Sequence, residues 1–132
     1  MRMYRQLFII RIALLTGVVS FAALSAYQRA RVPVSPEAAA MLPLQTMRYA
    51  LWALAVVAVL IALFLRSRLP GVPAPARASM LIIGWAFGEG VALFGAVQHY
   101  IGGPIATMAL GLLTFVVVLV LLPVPRAPAK AG

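Results

Sequence analysis

Four apolar runs, each about as long as a bilayer is thick, constrain this chain more than any other feature. They read "LFIIRIALLTGVVSFAALSAY" (residues 7–27), "YALWALAVVAVLIALFL" (49–65), "MLIIGWAFGEGVALFGAVQHY" (80–100) and "IATMALGLLTFVVVLVLL" (105–122). Runs of about 17–21 residues cross about 30 Å of hydrocarbon as helix. Composition agrees, at 64% hydrophobic and 10% charged, where soluble domains hold about 45–50% apolar and about 25% charged residues. The expectation is an all-α membrane protein, a single membrane domain over residues 1–132.

The segments between the runs read as turns. The first run could be taken for a secretory signal, but it exceeds the usual apolar core of about 7–15 residues and Arg11 interrupts it, so it reads as a retained transmembrane helix. "QRARVPVSPEAAAMLPLQT" carries three prolines and reads as a loop. Within it, a short helical turn at Pro36–Met41 is expected, with Ser35 as cap and Pro36 at the first helical position. "RSRLPGVPAPARAS" is a basic, proline-rich connector, "IGGP" a tight turn, and residues 123–132 a flexible tail.

Four spans make two helical hairpins. Arg2, Arg5, Arg66, Arg68, Arg77, Arg126 and Lys130 then share one side, while Arg29, Arg31 and Arg48 share the other. The excess of basic residues places both termini in the cytoplasm. Tyr27, Tyr49, Trp52 and Tyr100 fall together at the outer interface, as an aromatic belt does.

Much chemistry is excluded. Without cysteine there is no disulfide and no thiolate. One histidine, two glutamates and no aspartate leave too few ligands or bases for a metal cluster or a catalytic triad, so no metal, no cofactor and no enzymatic activity are expected. The net charge of +9 is scattered at the ends of apolar runs, the placement of topology determinants and lipid-headgroup contacts, so nucleic acid is not an expected partner. Ten arginines against one lysine, with no asparagine, read as a GC-rich bacterial coding bias, hence a multi-pass protein of a bacterial inner membrane.

Glu89 stands about 15 Å deep in the third run, near the midplane. An ionised carboxylate there costs several kcal/mol, so it is neutral, paired or in contact with water. It either bonds a neighbouring helix as packing glue or carries a proton or cation. Beside it, Gly84, Gly88, Ala92 and Gly95 recur at three- and four-residue spacing, a face that lets another helix approach closely, within this chain or from a second one. Arg11 is expected to reach the cytoplasmic headgroups, with pairing to Glu89 as the alternative if the first and third runs are neighbours. His99, Gln98 and Thr107 read as polar residues near the outer end.

Gly84, Ala86, Phe87, Glu89, Leu93, Phe94, Gly95 and Val97 together resemble the carboxylate-bearing helix of the rotary ATP synthase c subunit, over residues 84–97. The resemblance implies that Glu89 takes up and releases a translocated proton. The leading expectation is a non-enzymatic accessory or assembly component that packs through the glycine face of this third helix, its partners being the bilayer and other transmembrane helices, in a larger complex or by self-association.

Overall fold

The computed structural model describes residues 2–126. All regular structure among them is helical: α1 (Arg2–Arg31), α2 (Pro36–Ala40), α3 (Leu44–Arg68), a 3-10 turn (Leu69–Gly71), α4 (Ala74–Tyr100) and α5 (Ile105–Leu121). Three helices (α1, α3 with its 3-10 turn, and α4) are long and apolar enough to cross a membrane, and α5 is a shorter apolar helix of 17 residues. Phe8, Ile12, Val19, Trp52, Val56, Leu60, Leu113 and Val120 are among the large apolar side chains left on the outside. Water would penalise such a surface heavily, and it is compatible with a small integral membrane protein.

The helices overrun the apolar runs. α1 continues through Gln28–Arg31 and α3 begins at Leu44, because the hydrophobic run reports bilayer thickness and the flanking residues remain good helix formers. The proline-rich connector shrinks to residues 69–73, since Pro70 enters a 3-10 turn and Pro75 occupies the first turn of α4, where a missing N–H leaves no bond unmade. α2 starts as its sequence suggests, with Pro36 in the first turn and the Ser35 hydroxyl accepting from the Ala38 N–H at 3.1 Å. Of the tail, residues 123–126 lack regular structure, and residues 127–132, Lys130 included, lie outside the described part.

α4 is the centre of the bundle, flanked by α1, α3 and α5. It runs parallel to α1: Arg11 lies over Trp85, Ala22 packs with Ala96, and Arg29 reaches His99, so both chains advance in the same direction. It runs antiparallel to α5, with Gly84 against Leu122, Gly88 against Phe115 and Val118, and Gly95 against Thr107 and Gly111. α3 is antiparallel to α4 as well, with Leu65 near Gly84 and the Met47 carbonyl bonded by Gln98.

The α4–α5 turn is a Schellman closure. The Gly103 N–H donates to the Gln98 carbonyl at 2.7 Å and the Gly102 N–H to the His99 carbonyl at 3.3 Å. Gly102 sits at φ +125°, a conformation that only glycine enters at little cost.

Candidate functional site

The small-residue stripe of α4 is occupied within the chain, by α5. A Cβ at Gly88 would stand 3.1 Å from both Phe115 and Val118. At Gly95 it would collide with the main-chain oxygen of Thr107, and at Gly84 with the tip of Leu122. Gly111 answers from the other helix, since a Cβ there would lie 2.9 Å from the Val91 carbonyl oxygen and 3.0 Å from Ala92 Cα. Ala92 is fully buried in this contact. The sequence signal for the partner face was Thr107 and Gly111, a small pair at four-residue spacing in the fourth run.

Arg11 and Trp85 build the most developed polar cluster. α5 ends against Pro123, and its last carbonyls have no helical partner. The Arg11 guanidinium donates to the Leu119 carbonyl at 2.7 Å, and the Trp85 indole N–H donates to the Leu122 carbonyl at 2.8 Å. Arg11 also stands over the indole face at 5.8 Å from its centroid, in cation–π range. Two other helices thus cap the end of α5, and a cation sits at the negative end of its dipole. A buried carbonyl left without a donor costs about 1–3 kcal/mol, so these donors tie α1 and α4 to the end of α5.

Glu89 lies on α4 four residues after Trp85 and seven before Ala96, the positions that meet α1, and it is half-buried. α1 and α4 are indeed neighbours, the condition for an Arg11–Glu89 pair, but the Arg11 guanidinium is placed a turn away, on Leu119 and Trp85. Among the described residues Glu89 takes part in no side-chain hydrogen bond.

At the opposite end, main-chain carbonyls again collect the polar side chains. Gln98, only 1% exposed, donates to the Met47 carbonyl at 2.9 Å and ties the start of α3 to α4. Arg29 donates through Nε to the His99 carbonyl at 3.2 Å. The His99 ring nitrogen Nδ1 stands 3.1 Å from the Gly103 carbonyl oxygen, and the Thr107 hydroxyl donates to the Pro104 carbonyl at 2.7 Å. Tyr27, Tyr49, Trp52 and Tyr100 are all exposed. No group of three or more metal-ligating side chains forms among the described residues. No protein-family model matches this chain, and neither does any curated protein or solved structure.

Proposed function

We propose that the chain is a four-span integral membrane protein of a bacterial inner membrane, in two hairpins with both termini cytoplasmic. It serves as a non-enzymatic accessory or assembly component of a larger membrane complex. One observation carries this reading: Arg11, Trp85, Arg29 and Gln98 each donate to a main-chain carbonyl of another segment. Side chains so placed fasten helix ends and build a scaffold. The antiparallel seating of α5 on α4 supports its crossing too, as its 17 residues reach about 26 Å.

Because α5 fills the glycine face, the contact with a partner falls elsewhere. α1 is the most open of the long helices, with 17% of its apolar window buried against 44% in α4. Phe8, Ile12 and Val19 form one exposed stripe on it. The test is recovery of the tagged chain in mild detergent and mass spectrometry of what accompanies it. A stoichiometric partner that is lost on replacing Phe8, Ile12 and Val19 together by alanine supports the reading. No such partner, or one indifferent to the triple substitution, overturns it. A phosphatase fused within residues 32–43, active only outside, tests the topology.

The second reading is proton or cation carriage by Glu89. It is favoured by a half-buried carboxylate on the α1 flank of α4 that takes part in no side-chain hydrogen bond among the described residues. Glu89→Gln is its test: if every proton-coupled activity of the membrane survives unchanged, carriage is withdrawn.

A further inference from the structure

Three cavities lie end to end along the seam of α3 and α5. The first, about 180 Å³, opens among Gln45, Arg48 and Thr107. It shares Arg48, Pro104 and Thr107 with a second of about 260 Å³. That one shares Trp52 and Leu110 with a third of about 320 Å³, which descends between Val56, Leu60 and Leu113. Polarity falls along the path. The upper cavities hold a guanidinium, the amides of Gln45 and Gln98 and the Thr107 hydroxyl, whereas the lowest is apolar except for Thr114, whose hydroxyl donates to the Leu110 carbonyl at 2.8 Å.

We propose that this groove binds one anionic phospholipid, its phosphate on the Arg48 guanidinium and one acyl chain laid along α3 from Trp52 to Leu60. The inference rests on the membrane reading above. Charge selects the headgroup: Arg48 is the one charged residue among the linings of the three cavities, no carboxylate joins it, and no hydrogen bond holds it within the chain among the described residues. A planar guanidinium matches a phosphate bidentately, while a zwitterionic lipid would bring a second cation to a site that has no anion. Length selects the tail: twelve residues separate Arg48 from Leu60, about 18 Å of helix. Half of a hydrocarbon core is about 15 Å, so a phosphate at Arg48 sends its chain to the midplane. Trp52, exposed at the waist, has the amphipathic ring that settles at the headgroup boundary. A transmembrane helix in the same groove would have to bring a carboxylate to the Arg48 end, whereas a lipid carries its phosphate at that level.

The full chain in non-ionic detergent, titrated with phosphatidylglycerol and read by native mass spectrometry, tests the site. One retained lipid per chain is expected, with occupancy about tenfold lower in Arg48→Gln, only partly restored in Arg48→Lys, which keeps the charge but not the bidentate fork, and about tenfold lower for phosphatidylcholine of the same chain length. Leu110→Trp, which fills the waist without touching the charge, should also expel the lipid. Arg48 is exposed, so its variants preserve the fold, and helicity by circular dichroism confirms this. Retention unchanged in Arg48→Gln, or phosphatidylcholine held as well as phosphatidylglycerol, overturns the proposal. Flotation with pure phosphatidylcholine vesicles separates the two readings. A chain that floats but does not select the anionic lipid refutes the groove alone, whereas one that does not float refutes membrane residence itself.

Discussion

Replacing Gly95 by alanine should loosen the α4–α5 pair, and Gly90→Ala supplies its control. A Cβ at Gly95 meets the Thr107 carbonyl oxygen, with Gly111 Cα at 3.3 Å. Both obstacles are main chain, so no rotamer change relieves them and the helices must separate. Overpacking of this kind costs about 1–3 kcal/mol, and main-chain obstacles place it in the upper half of that range. Alanine returns up to about 1 kcal/mol of helix propensity over glycine, which leaves a net loss of about 1–2 kcal/mol. Gly90 lies on the same helix, yet nothing stands within 4 Å of a Cβ built there, so Gly90→Ala shows only the propensity gain. The difference between the two variants therefore isolates the packing cost. Unfolding in mixed micelles of a mild detergent and dodecyl sulfate measures it, followed in a Trp52→Phe background by the fluorescence of Trp85, which is fully buried. Equal stability of Gly95→Ala and Gly90→Ala would refute the close approach of the two helices.

Three further positions probe the helix ends, read by unfolding in the same micelles with helicity by circular dichroism as the signal, so that the Trp85 variants keep a reporter. Arg11→Leu strips the donor from the Leu119 carbonyl and should cost about 1–3 kcal/mol, with Arg11→Lys recovering part of it; an unchanged midpoint would mean that the contact does not form in detergent. Trp85→Phe keeps most of the ring but removes the bond to Leu122, so a loss of about 1 kcal/mol is expected, well below the about 3–5 kcal/mol of Trp85→Ala. Gly102→Ala forces a side chain into φ +125° and should cost more than about 1 kcal/mol; a neutral result would show that the turn relaxes to another conformation.

The sequence declares its long helices through apolar length, which Arg11 and Glu89 interrupt without ending, and it declares α2 through Ser35 and Pro36, whose chemistry is local. Glycine spacing marks α4 as a face for close approach, because a missing side chain has one geometric consequence on a helix. It cannot say which helix arrives, since van der Waals fit with α5 depends on Gly111 and Thr107 in three dimensions. Arg11 was illegible for a related reason. Its acceptor is the main-chain oxygen of Leu119, 108 positions away, and a carbonyl carries no residue signature. Gln98 hides likewise: an amide near the end of an apolar run looks like an interfacial residue until Met47 is found beneath it.

The bond from Arg11 to Leu119 also imposes a timetable. α1 is synthesised before α4, yet its seat there appears only about seventy residues later, and its arginine finds this acceptor only when α5 is nearly finished. Until then α1 carries a guanidinium that no neighbour has bonded. A chain that stops short of residue 119 lacks this acceptor, and its Arg11 guanidinium must turn to solvent or to another partner. The same contact that staples α1 to α5 thereby closes only once both helices are in place.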